Sequence, residues 1–197
     1  MSRYDGSDHY VDADTGVLIN KADIRDQDAL DAFEADATAV RLLELIEQPI
    51  TGNFDLNHLQ AIHRHIFQDV YDWAGELRTV DISKGGSHFG NWQRIGVYLD
   101  SVLRGIAKES CLRELAPEQF IARLAHYMSE INAAHPFREG NGRAQRAFCF
   151  QLAMEAGYFV DFENVSRDQM YSVMIASFNG DEAPLATLLN DITAIIE

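Results

Sequence analysis

Residues 135–146 read HPFREGNGRAQR, and this dozen decides how the chain is built around it. Upstream, a helical pattern over 117–132 runs into Ala133-Ala134-His135-Pro136. The proline ring disfavours the α region at His135, so the helix ends at or just before that residue. Phe137 is the apolar anchor that holds the following loop to a core. Gly140-Asn141-Gly142 forms a tight turn, and from Arg143 the helical pattern resumes through Ala147, Phe148, Phe150, Gln151, Leu152 and Met154. The stretch is therefore a loop between two helices, with a glycine-rich turn opening the second.

Working outward, the same periodicity predicts further helices. One starts at Asp26 and carries Leu30, Phe33, Ala37, Val40, Leu43 and Leu45 before Pro49 and Gly52 close it. The next begins near Asp55, a suitable N-cap, with Leu56, Leu59, Ile62, Ile66, Phe67 and Val70 as its apolar stripe. Others fall at 92–108, 142–156, 167–178 and 184–196. Only residues 77–90, LRTVDISKGGSHFG, break the pattern. Val80 and Ile82 alternate with polar neighbours, Gly85-Gly86 offers a turn, and 87–89 reads as a return strand. The expected architecture is all-α, a helical bundle with one small β-hairpin, in a single domain over 1–197.

Composition narrows the function. Against 16 Lys+Arg stand 31 Asp+Glu, a formal net charge of −15. Such a surface repels nucleic acid and anionic membranes, and also serves plain solubility. The two cysteines, Cys111 and Cys149, make no disulfide framework, and Cys149 sits in an apolar run. The polar N-terminus lacks a signal-like apolar segment, and no run is long enough to span a membrane, so a cytoplasmic location is expected.

The chemistry-bearing residues converge on the 135–146 loop. Glycines flanking an asparagine at a helix start let the backbone approach an anion closely, and the first N–H groups of that helix lack intrahelical acceptors. Arg143 and Arg146 sit in the first turns, where the macrodipole disfavours cations by a few tenths to ~1 kcal/mol each. A polyphosphate would resolve that conflict; pairing with nearby carboxylates would resolve it equally well, and both readings stay open here. Glu139 puts a carboxylate beside the anion pocket, which calls for a bridging divalent cation such as Mg²⁺. His135 has the intrinsic basicity to take a proton from a hydroxyl.

With those residues in place, the stretch resembles the Fic-family signature HPFx(D/E)GNGRxxR, with no departure at a defining position. A chance match in a chain of this length is on the order of one in a million or rarer. The likeness extends over about residues 55–180, and the N-terminal helix is similar to that of short bacterial Fic toxins. The resemblance implies transfer of AMP from ATP to a Tyr, Ser or Thr hydroxyl of a target protein. It makes His135 the general base and Glu139 the Mg²⁺ ligand. Asn141 and the amides of Gly140 and Gly142 would stabilise the α-phosphate, Arg143 would contact the β-phosphate and Arg146 the γ-phosphate.

The resemblance also gives the hairpin a role, as a flap that pairs with an extended target segment. Ile82, Lys84 and Gly85 are then expected over the nucleotide and acceptor, though Lys84-Gly85-Gly86 reads equally as an ordinary turn. Asn179 is expected to face the adenine, although Asn179-Gly180 is also a routine turn dipeptide. An inhibitory helix of pattern (S/T)xxxE(G/N) is a family feature. The nearest segment, Ser110-Cys111-Leu112-Arg113-Glu114, is followed by Leu115, so a separate antitoxin is expected to supply that helix and engage Arg146. Similar toxins act on DNA gyrase B and topoisomerase IV subunits, which makes these the implied targets; direct contact with nucleic acid is not expected. Two alternatives are a Doc-like kinase, which Gly142 argues against because Doc-like sequences carry lysine there, and a non-catalytic binding module, which the intact His135, Glu139, Arg143 and Arg146 argue against.

Overall fold

The starts of four helices in this chain are set by short polar side chains. Asp26 and Asp55 accept hydrogen bonds from Ala29 N and His58 N, each at 2.9 Å, and so open α1 (Gln27–Glu47) and α2 (Leu56–Phe67). Asn91 caps α3 (Trp92–Lys108), Pro117 occupies the first turn of α4 (Pro117–Ala134), and a Ser166/Gln169 capping box opens α6 (Arg167–Phe178). The remaining helices are α5 (Asn141–Ala156) and α7 (Ala183–Asp191). The computed structural model describes residues 9–84 and 87–196.

Helix α5 is the axis of the fold. Its buried residues include Ala144, Phe148, Cys149, Leu152 and Ala153, and also Asn141, Gln145 and Gln151, so apolar and polar faces alike are covered. It packs on α2, on α4 and on the strand β3 (Tyr158–Val160) that follows it. A helix covered on several sides is a core helix, and its first turn inherits that rigidity. Gly157 ends it in the left-handed region at φ +88° and turns the chain directly into β3.

The expected hairpin is present but shorter than the alternation suggests: β1 (Ser83–Lys84) pairs with β2 (Ser87–His88), while Val80 and Ile82 lie outside it. Gly85 and Gly86 lie outside the described residues, as does the Lys84 side chain. The expected helix over 184–196 is corrected. It stops at Asp191, and Thr193–Ile195 forms β4, antiparallel to β3 with Phe159 opposite Ala194. β-Branched Ile192, Thr193, Ile195 and Ile196 favour extended backbone, and β3 offers an unpaired edge. The domain therefore holds a second small sheet that helical periodicity did not disclose. Among the described residues no helix is long and apolar enough to cross a membrane.

Candidate active site

Helix α4 delivers His135 as its C-cap, in the left-handed region at φ 47° and ψ 63°. A non-glycine residue rarely adopts this conformation unless its surroundings impose it. Arg78 supplies much of that constraint. Its side chain is 1% exposed, and Nε donates to the His135 carbonyl at 2.9 Å. Its Nη atoms donate to Val80 O at 2.6 Å, to Ala134 O at 3.2 Å and to Gly90 O. A buried cation is thus placed on the carbonyl end of α4, where the helix dipole favours it, and it ties the segments on both sides of the hairpin to the loop at His135. The imidazole of His135 stacks on Phe89 with centroids 3.9 Å apart, and Phe89 in turn meets Phe178 edge-on.

The loop after His135 is closed by its own side chains. Asn141 Oδ1 accepts from Phe137 N at 2.8 Å, and its Nδ2 donates to Phe137 O at 2.7 Å. The Asn141 amide is thereby committed to the loop, and what this residue presents to the cleft is its backbone N–H at the first position of α5. Phe137 is buried and stacks on the fully buried His63 at 3.8 Å. His63 accepts from Gly75 N through Nδ1 at 2.8 Å, so Nε2 carries the proton that it donates to Glu139 O at 3.0 Å. Gly140 sits at φ +79°, and a Cβ there would fall 2.0 Å from Phe67 Cζ, so no side chain fits this position.

Burial lowers the His63 pKa to about 3, the positive Arg143 adding to the effect. The unfolded chain, with an ordinary imidazole near ~6.5, binds the extra proton first as pH falls. His63 therefore stabilises the fold above that value and loses its contribution steadily between pH 6.5 and 3. Lowering the pH from 7 to 5 is expected to cost about 2 kcal/mol through this residue. Urea denaturation of wild type and His63→Gln at both pH values measures it: the variant should lack that part of the pH dependence, and equal pH dependence in both would exclude the assignment.

The cleft enclosing these groups has a volume of about 870 Å³ and two distinct halves. One is polar, with His135, Glu139, the first turn of α5, Arg143 and Arg146. The other is apolar, built from Phe162 and Val165 and from Met170, Met174 and Phe178, which recur every fourth residue along α6. That wall was missed in the sequence, although its spacing is visible there. Asn179 lines the same cleft.

The two motif arginines differ sharply. Arg143 Nη2 donates to Glu34 Oε1 at 2.5 Å and Nη1 to Thr38 Oγ1 at 3.1 Å, while its guanidinium lies 4.6 Å over the Phe67 ring. The carboxylate-pairing reading thus holds for Arg143. Arg146 has no hydrogen-bond or ion-pair partner among the described residues. Burial, then the charge of Arg143, weaken its hold on its proton, though a guanidinium remains charged at neutral pH. Glu139 faces the cleft and accepts from Gly140 N at 3.0 Å. Ile82 is 3% exposed, and its carbonyl accepts from Phe89 N at 3.3 Å.

The Fic/DOC family profile matches residues 53–153, from the start of α2 through nearly all of α5. This chain belongs to the Fic/DOC family. Among curated Fic relatives, the protein adenylyltransferase VbhT of Bartonella schoenbuchensis is 43% identical over 190 residues, covering 96% of this chain but 40% of VbhT. The chain thus spans about two fifths of that relative's length. The "Probable protein adenylyltransferase Fic" of Escherichia coli K12 is 33% identical over 190 residues, covering 96% of this chain and 94% of that one. Among solved structures, the N-terminal Fic domain of a VirB-translocated Bep effector from Bartonella quintana, with bound ADP, superposes with a TM-score of 0.89 at 27% identity, covering 95% of each chain. BepC of Bartonella tribocorum, with bound AMPPNP, gives 0.88 at 27% identity, covering 95% of this chain and 97% of that one.

Proposed function

We propose that the chain is a protein adenylyltransferase, moving AMP from ATP onto a hydroxyl side chain of another protein. The observation that carries this reading is the placement of His135, the open first turn of α5 and the uncompensated Arg146 in one cleft. A half-buried cation beside a helix N-terminus is unfavourable alone, and an anionic polyphosphate relieves it. The apolar wall of α6 gives a purine base a matching surface. The relatives' adenylyltransferase names, and the nucleotides held by the two solved Fic structures, support the same reading.

In this reading the triphosphate lies along the start of α5. The N–H groups of Asn141 and Gly142 face the α-phosphate, uncommitted donors of Arg143 the β-phosphate, and Arg146 the γ-phosphate. The His135 imidazole takes the acceptor's proton as the hydroxyl oxygen attacks the α-phosphorus. The bond from that phosphorus to the bridging oxygen breaks, and pyrophosphate leaves. Glu139 is the carboxylate that would hold Mg²⁺, since it faces the cleft from beside the phosphate site; the bound metal would offset phosphate charge that repels the nucleophile. The acceptor segment pairs with the flap through backbone atoms around Ile82, Lys84 and Gly85, and Asn179 borders the base.

Gly142 favours AMP transfer over a kinase of the Doc type. A Cβ there would stand 3.2 Å from Arg146 Nη1, so a longer side chain would crowd the γ-phosphate position. Arg146 is also the natural grip for an inhibitory helix supplied by an antitoxin. The internal segment nearest that pattern, 110–114, begins in a short 3-10 turn and contributes nothing to the cleft lining. A cytoplasmic toxin with gyrase B or topoisomerase IV subunits as first targets completes the proposal. Mass spectrometry of a bacterial lysate incubated with the chain and ATP tests it. An AMP adduct on a hydroxyl side chain is expected, absent with His135→Ala; a phosphate adduct alone would overturn it.

A further inference from the structure

His126 and Glu130 stand four residues apart on α4, so both project from one face of that helix. Glu182, the residue from which α7 departs, reaches the same spot. One ligand atom from each of the three lies within 4.8 Å of the others, and all three residues are half-buried. Among the described residues no other group of three His, Cys, Asp or Glu side chains converges this closely. None of the three lines the cleft that holds His135.

Their contacts with the protein do not account for the convergence. His126 Nδ1 is 3.6 Å from Glu182 Oε1, too far for a good hydrogen bond. The Glu182 carboxylate makes no capping bond to its own helix, although it stands at the N-terminus. Arg123, the cation one turn before His126, is committed to Glu109 at 2.6 and 2.7 Å. Two carboxylates and an imidazole thus face one another in a chain of net charge −15. Glu130 accepts from the Tyr98 hydroxyl of α3, the kind of outer contact that orients a metal ligand.

Zinc bonds of about 2.0–2.2 Å to nitrogen and oxygen place tetrahedral ligand atoms roughly 3.3–3.6 Å apart. The His126–Glu182 separation already meets that spacing, and a side-chain rotation closes the rest. One imidazole with two carboxylates suits zinc and its first-row neighbours, whereas magnesium and calcium take oxygen ligands.

We propose that His126, Glu130 and Glu182 bind one divalent transition ion of the zinc class, joining α4 to the turn between α6 and α7. The site is separate from the proposed nucleotide chemistry. Three protein ligands leave a fourth position to water. Because Phe178 and Asn179 border the cleft just before that turn, the ion would also hold this side of the cleft to α4.

Calorimetric titration of the whole chain with Zn²⁺, in a buffer holding excess Mg²⁺, tests the proposal. Wild type should bind one equivalent. His126→Ala and Glu182→Gln should each weaken binding at least about tenfold, since losing a ligand costs no less than losing an outer contact. His65 also meets a carboxylate, Glu44 at 3.1 Å, but belongs to no such group of three. His65→Ala should therefore bind Zn²⁺ within about twofold of wild type. Zinc at roughly a hundredfold excess over its Kd should raise the wild-type unfolding midpoint by about 5 °C or more. The His126 and Glu182 variants should unfold at the wild-type temperature without zinc and gain nothing from it at that concentration. No uptake by wild type, or equal affinity in wild type and His126→Ala, would overturn the proposal. Uptake that His135→Ala abolishes and His126→Ala does not would place the ion in the cleft and overturn it as well.

Discussion

Replacing His135 by alanine is expected to lower AMP transfer by about 10²–10⁴-fold, the usual contribution of a positioned general base. Binding of ADP should change by no more than about twofold. The separation follows from how the loop is held. The backbone around His135 is fixed by Arg78 on its carbonyl and by its own N–H, which donates to Ile131 O at 2.9 Å. The following turn is fixed by Asn141 on Phe137. None of these bonds uses the imidazole. The ring contributes its stack on Phe89, whose loss exposes part of one phenyl face without opening the phosphate site. Single-turnover transfer and calorimetric ADP binding on the same preparation measure both quantities. A variant with wild-type transfer would remove His135 from the mechanism; one that no longer binds ADP would make it a structural residue.

Replacing Arg78 by methionine is expected to destabilise the fold by roughly 3–5 kcal/mol, because several buried carbonyls are left without a donor. Methionine keeps most of the volume, so the effect isolates the polar contacts, the 3.7 Å ion pair with the exposed Asp81 among them. Four carbonyls, those of Val80, Gly90, Ala134 and His135, lose their donor, and a buried unsatisfied acceptor costs about 1–3 kcal/mol. Arg78→Lys should recover little, because one ammonium cannot span the geometry of a planar fork. Transfer should fall in both variants even under conditions where they remain folded, since His135 loses the contact that holds its left-handed backbone. Urea denaturation gives the stability, and transfer at low denaturant gives the function. Wild-type stability in Arg78→Met would show that the four contacts are dispensable.

The two residues illustrate what the sequence disclosed and what it withheld. His135, Glu139, Arg143 and Arg146 were legible because their chemistry is local: a proline, a glycine turn and a helix start within a dozen residues. The phase of α1 to α6 was legible for the same reason, most of these helices carrying a local start signal and an apolar stripe. Arg78 looked like an ordinary basic residue ahead of a hairpin, because its partners lie across the loop from 57 residues away in the case of His135. Glu34 carried a faint signal: it falls one turn after Leu30 and one before Thr38, on the buried face of α1. A carboxylate at such a position asks for a cation, but only the fold says which. His63 likewise sits among Leu59, Ile62 and Ile66 on the buried side of α2, where nothing local marks it. Strand β4 escaped because its pairing partner, β3, lies beyond two intervening helices, where helical periodicity carries no information.

The central claim is that the cleft presents the α-phosphorus, and not the γ-phosphorus, to an acceptor hydroxyl. Parallel incubations of the chain with ATP labelled at the α-phosphate and with ATP labelled at the γ-phosphate, in a bacterial lysate with Mg²⁺, test it most directly. Protein-bound label from the α position only, lost in His135→Ala, is the expected result. Label from the γ position only would contradict the account.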